Sequence, residues 1–187
     1  MVQVADSSMD TISEALIRMK ELTVQAGNEG NTEFDRKKIQ EEVEQLKEYI
    51  DTTARDTEFN GNKLLQNNKI TDNSKPLYVD MQIGANVGDN ISIPFFNISS
   101  ELLNIKDIDI TTSAGVDKAL DNISSAISKV NGYRGIYGAL QSRMESTSEV
   151  ISNSSYIYEK SSSDINDADI ALEMAEIART SILMESA

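Results

Sequence analysis

Apolar side chains recur at steps of three and four along separate stretches of this chain, which commits most of it to helices that must pack against one another. In MDTISEALIRMKELTVQA the stripe is Met9, Ile12, Leu16, Met19, Leu22 and Ala26. It stops at GNEG, where Gly27 and Gly30 admit the left-handed backbone of a helix end. Thr32 is placed to cap a second helix, with Asp35 in its positive first turn and a seam of Ile39, Val43, Leu46, Ile50 and Ala54. Two stripes joined by a short glycine loop predict an antiparallel helical hairpin over 1–58. The opening MVQVADSSMDTIS has the same character and reads as a helix entered part-way.

The period changes over 59–114, where FNGNKLL carries the Asn60-Gly61 turn signal and PLYVDMQI and NISIPFF read as short strands. Pro76 and Pro94, the two prolines, fall here at positions that strand starts and bends tolerate. In MQIGANVGDNISI the glycines at 84 and 88 pose a choice between a phosphate loop and a hairpin. No Lys or Ser/Thr pair follows Gly88, Asp89 stands where an anion would sit, and Ile91 and Ile93 alternate, so a hairpin is expected.

A proline-free helical stripe resumes at Val116, Leu120, Ile123, Ile127, Val130, Tyr137, Leu140, Met144 and Ile151. A helix over 115–160 would span roughly 65 to 70 Å, so the expected architecture is mainly α with a small β part: an elongated, rod-like antiparallel bundle plus a β-hairpin region. Gly132, Gly135 and Gly138 suggest either close helix contact or a weak turn, and Asn153 with Ser154-Ser155 interrupts the pattern. A last helix over 161–187 carries Ile165, Ala168, Leu172, Ala175 (or Met174), Ala178 and Ile182, with no segment left in the chain to cover it.

Composition removes whole classes of chemistry. With no Cys and no His, thiolate and histidine metal sites and Ser-His-Asp or Cys-His catalysis are excluded. A formal charge of −14 opposes nucleic acid and anionic membranes, and neither a membrane span nor a signal peptide is seen. The acidic run QEEVEQLKEYID falls on the solvent side of its helix, and Asp164, Asp167 and Asp169 lack the glycine and distant Glu of a calcium loop. No catalytic residue, cofactor or metal site is expected. Methionines 9, 19, 144 and 174 read as core filler. Arg18, Glu21 and Gln25 share one face of the first helix and can meet Glu42 and Gln45 of the next; on residues alone this is a solvent face. Leu22 occupies i+4 from Arg18, so its guanidinium is expected to be free for a partner, with Glu14 and Glu21 weak competitors.

MKELTVQAGNEGNTEFDRKKIQEEVEQLKEYIDTTARDTEFNGNKLL strongly resembles the amino-terminal conserved region of bacterial flagellins, with its R-E-L-x-V-Q-A, I-Q-x-E and T-x-F-N-G-x-K-L-L patterns. MQIGANVGDNISI is similar to the flagellin hairpin, and LDNISSAISKVNGYRGIYGALQSRME with SDINDADIALEMAEIARTSIL to the carboxy-terminal helices. The resemblance implies a structural, non-enzymatic subunit of the flagellar filament, exported without a cleaved signal to an extracellular location, with other flagellin subunits and export chaperones as partners. In its terms 1–58 and 115–160 are inner-core helices and 161–187 begins the terminal filament helix. It also implies recognition by host Toll-like receptor 5, with the family's contacts falling on Arg18, Leu22 and Glu42, then Glu21, Gln25 and Gln45. Ile17 and Lys47 depart from the common Gln and Leu there. The family's first helix and variable outer domain have no counterpart in this chain, so it is expected to be monomeric or weakly associating. The alternative is a hook–filament junction protein, which shares the terminal helices but less of FNGNKLL and QIGAN.

Overall fold

Thr32 closes the first helix–helix turn with a reciprocal cap: the Asp35 amide donates to its hydroxyl at 3.2 Å, and its own amide donates to the Asp35 carboxylate at 3.0 Å. On either side lie α1 (Val2–Ala26) and α2 (Glu33–Asp56). The computed structural model describes residues 1–66, 76–84, 86 and 88–186, apart from the side chains of 167–169, 171 and 172. The chain divides into two units, Met1–Ser142 and Arg143–Ala187.

In the first unit α1 buries Met9, Ile12, Leu16, Met19, Leu22 and Ala26, the stripe read from periodicity, together with Val2 and Ala5. Arg18 of α1 bonds Glu42 of α2, so the two helices run antiparallel. The third helix, α3 (Ser113–Glu185), lies antiparallel to α1 within this unit. Arg134 reaches Asp6 at 3.2 Å and Asp10 at 2.6 Å, while Gly27 at the other end of α1 sits against Val116. Val116, Ile123, Val130, Tyr137 and Leu140 supply its buried side. The result is a helical bundle with a small β part.

Among the described residues, two antiparallel hairpins lie between α2 and α3. Strands β1 (Glu58–Phe59) and β2 (Asn62–Lys63) pair as Glu58↔Lys63 and Phe59↔Asn62. Asn60 (φ 52°) and Gly61 (φ 76°) form the turn, both in the left-handed region that an Asn-Gly pair accepts. Strands β3 (Leu77–Gln82) and β4 (Asn90–Phe95) pair from Leu77↔Phe95 to Gln82↔Asn90. Ile91, Ile93 and Phe95 of β4 are buried, and the buried Tyr137 donates its hydroxyl to the Pro94 carbonyl at 2.9 Å. In the connecting loop Asp89 accepts from the Asn86 amide at 3.1 Å, so the chain's own carboxylate fills the space a phosphate would need. Ala85 and Val87 of that loop, and the stretch 67–75, lie outside the described residues.

Several expectations need correction. Leu46 is only half-buried, whereas Lys47 is 6% exposed: the covered face of α2 runs through Ile39, Val43, Lys47, Ile50 and Ala54, toward the 100–110 segment whose Lys106 carbonyl Lys47 serves, and leaves Leu46 at its border. Gly132, Gly135 and Gly138 face open space, so no close helix contact selects them. The helix passes through Asn153, Ser154 and Ser155, and Ile151 is exposed. Polar residues there interrupt the apolar stripe but leave the helical backbone intact, since none carries proline's missing donor. In the second unit Ile165, Ala175, Ala178 and Ile182 are exposed, while the side chains of Ala168 and Leu172 lie outside the described residues.

Candidate functional site

The α1–α2 turn brings Arg18 opposite Glu42, a pairing across 24 residues of chain that only the antiparallel hairpin allows. The guanidinium donates to Glu42 Oε1 through Nε at 3.2 Å and Nη2 at 3.0 Å, and to Glu21 Oε2 through Nη1 at 3.3 Å. Its side chain remains 53% exposed, against 62% for Glu21 and 47% for Glu42, so solvent screens the cluster. The hydrogen bond that Arg18 donates to Glu42, then that to Glu21, raises the Arg18 pKa. Gln25 and Gln45 are exposed on the same two helices, and the Gln25 carbonyl accepts from Asn31 Nδ2 at 2.5 Å.

This geometry corrects two expectations. The Arg18 fork is engaged by two carboxylates: Glu21, expected only as a weak competitor, and Glu42, which the antiparallel packing of α1 and α2 brings against the Arg18 face. Leu22 is 2% exposed and part of the core, so it has no free surface to offer a partner. The exposed side chains of these two helices here include Arg18, Glu21, Gln25, Glu42 and Gln45.

Sequence reasoning passed over a second cluster on the other flank of α2. Gln40 donates to the Ile108 carbonyl and accepts from the Ile110 amide, both at 2.9 Å. Lys47 donates to the Lys106 carbonyl at 2.8 Å and meets Glu44 at 2.6 Å. Asp51 accepts from the Ser100 amide and hydroxyl, both at 2.7 Å. Three side chains spaced by whole helical turns thus hold the main chain of 100–110, whose Leu103, Ile105, Ile108 and Ile110 are buried beneath. Beside them a polar groove of about 540 Å³ is lined by residues including Glu48, Arg55 and Lys106. Among the described residues no group of three His, Cys, Asp or Glu could hold a metal ion, and no helix is long and apolar enough to cross a membrane.

From Arg143 to Ser186 no described side chain is buried. Ile170, Met174, Ile177 and Met184, at helical steps along one face, are each more than half exposed.

The bacterial flagellin N-terminal helical region matches residues 1–70, and the bacterial flagellin C-terminal helical region matches 120–187. The whole chain aligns with the flagellin of Halalkalibacterium halodurans at 33% identity and with that of Bacillus subtilis at 32%, spanning 66% and 70% of their lengths. The crystal structure of Bacillus cereus flagellin superposes with a TM-score of 0.66 at 26% identity, over 77% of this chain and 80% of that one. A putative flagellar hook-associated protein from Vibrio parahaemolyticus shares the fold, with a TM-score of 0.69 at 16% identity over 87% of this chain and 84% of that one. The chain belongs to the bacterial flagellin family, whose members are structural proteins of the flagellar filament.

Proposed function

We propose that this chain is a structural subunit of the flagellar filament, exported to the cell exterior with the help of export chaperones. Host Toll-like receptor 5 recognises it through the α1–α2 face bearing Arg18, Glu21, Gln25, Glu42 and Gln45. The observation that carries the filament reading is the uncovered apolar helix after Ser142. Burying one such side chain contributes roughly 1.5 to 3 kcal/mol, and a helix with no cover of its own obtains that gain from neighbouring subunits. The test is to supply the gene to a flagellin-deficient bacterium with Ile170→Asp and Ile177→Asp introduced together. Filaments are expected from the parent and not from the variant, with the melting of the first unit unchanged; full filament formation by the variant would refute the reading.

The receptor reading is supported by an exposed arginine oriented by two acids, a preorganised group able to trade one carboxylate for a partner's. Arg18→Ala should weaken receptor binding about thirtyfold, the equivalent of about 2 kcal/mol, with helical circular dichroism intact. Equal affinity of parent and variant, or no binding by the parent, would remove that face from consideration.

A further inference from the structure

We propose that Asn60 is a site of spontaneous deamidation exposed by the β1–β2 turn, and that α3 protects the chain's other Asn-Gly pair, Asn131-Gly132. The two pairs have the same intrinsic chemistry. Glycine has no side chain to shield its amide nitrogen, so that nitrogen can attack the preceding asparagine's side-chain carbonyl. An N–Cγ bond forms, the Cγ–Nδ2 bond breaks, and ammonia leaves with the proton from the glycine nitrogen. Water then opens the cyclic imide at either carbonyl, giving aspartate or isoaspartate. The balance is one water taken up and one ammonia released, with no change of oxidation state.

The fold makes the two sites unequal. Ring closure needs the asparagine backbone to rotate until the next nitrogen faces its side chain, which neither a left-handed turn nor a helix allows without opening. At Asn60 the surrounding ladder has two residue pairs, and every residue from Glu58 to Lys63 is exposed. Opening it therefore uncovers no apolar core and breaks few hydrogen bonds. Asn131 instead lies inside α3, next to the buried Val130 and three residues before Arg134, which is tied to Asp6 and Asp10. Rotation there breaks the helical ladder and pulls at packed side chains.

The damage would stay at the hairpin tip. Just inside it the Leu64 amide bonds the Thr57 carbonyl at 3.1 Å, and Leu64 and Leu65 are fully buried. An isoaspartate lengthens the turn backbone by one carbon and adds a negative charge beside the Glu58–Lys63 ion pair.

The experiment incubates the full chain at mildly alkaline pH and follows the tryptic peptides Asp56–Lys63 and Val130–Arg134 by liquid chromatography and mass spectrometry. In the native chain the first should acquire the amide-to-acid mass gain about tenfold or more faster than the second, the ratio that about 1.4 kcal/mol of difference in local opening gives. In denaturant the two rates should converge, and Asn60→Gln should abolish the gain in 56–63. Equal native rates, a faster reaction at Asn131, or an undiminished gain in the Asn60→Gln chain would each overturn the assignment.

Discussion

Exchanging the Gln40 amide for a carboxylate tests whether α2 reads the backbone of 108–110 in both directions. Gln40→Glu is nearly isosteric and keeps an acceptor for the Ile110 amide, but it replaces the Nε2 donor with an oxygen facing the Ile108 carbonyl. Losing that bond and leaving the carbonyl unpaired costs about 1 to 3 kcal/mol. Gln40 also donates to Glu44 at 2.7 Å, so the new carboxylate meets a like charge at i+4, adding about 0.2 to 0.5 kcal/mol. A total of roughly 1 to 3.5 kcal/mol corresponds to a melting point lower by about 3 to 10 °C. The pH dependence is diagnostic. A carbonyl and a carboxylate both oppose charge at position 40, so the new group's folded pKa is raised, and its cost is present above the ordinary glutamate value. Below about pH 4 the carboxyl is protonated and can donate to Ile108, and the deficit should shrink. Gln40→Ala should be destabilised at both pH values. Thermal melts of the three chains at neutral and acidic pH decide the matter: a Gln40→Glu deficit that is absent, or that ignores pH, would refute the two-way bond.

Leu22→Ala should cost about 2 to 5 kcal/mol because the side chain is 2% exposed, whereas the half-buried Leu46→Ala should fall at or below the bottom of that range; denaturant midpoints compare them. Tyr137→Phe removes the hydroxyl that serves the Pro94 carbonyl and should cost about 1 to 3 kcal/mol by the same measurement. Burial pushes the Tyr137 phenol well above its ordinary value, so stability should fall as pH rises past about 10, where the unfolded phenol ionises first. Alkaline melts of parent and Tyr137→Phe should converge accordingly. The Thr32 hydroxyl, then its backbone amide, holds the Asp35 carboxyl below the usual range, so that contribution is present above the unfolded carboxylate's value and lost as pH falls through the lowered one. Thr32→Ala should flatten that acidic limb of the stability curve.

What sequence could show depended on how far apart the interacting residues lie along it. The Asn60-Gly61 turn, the Thr32 cap and the stripe of α1 involve partners within a few residues, and each was readable as spacing or turn chemistry. The fastening of 100–110 was not. Gln40, Lys47 and Asp51 find their partners 68, 59 and 49 residues away, and apart from the Ser100 hydroxyl those partners are backbone atoms, which leave no trace in residue type. A polar side chain that serves a distant main chain has the same appearance as one facing water. Lys47 is the extreme case: its four-carbon stem covers apolar surface while its ammonium satisfies a carbonyl, so it does the work of a core residue without looking like one.

Arg18 and Leu22 show how the same constraint divides a surface between folding and recognition. Periodicity assigned Leu22 to the stripe that holds α1 against the bundle, while family resemblance assigned it to a contact with another protein. A side chain 2% exposed cannot serve the second role without leaving the first, and withdrawing it would forfeit the cost of a core cavity. Arg18, four residues earlier, escapes that conflict because its head lies outside the stripe, where replacing Glu42 by another carboxylate exchanges one exposed ion pair for another. Such an exchange is nearly neutral in water and becomes favourable only where a partner excludes solvent from the pair. Affinity at this face should therefore depend less on the charge Arg18 brings than on how completely the partner covers it. The adjoining exposed Ile17 then matters as apolar surface at the rim, and Ile17→Ala should weaken binding while leaving the Arg18 ion pairs in place. A calorimetric titration of that variant with the receptor ectodomain, showing affinity equal to the parent's, would place the boundary of the covered area short of residue 17.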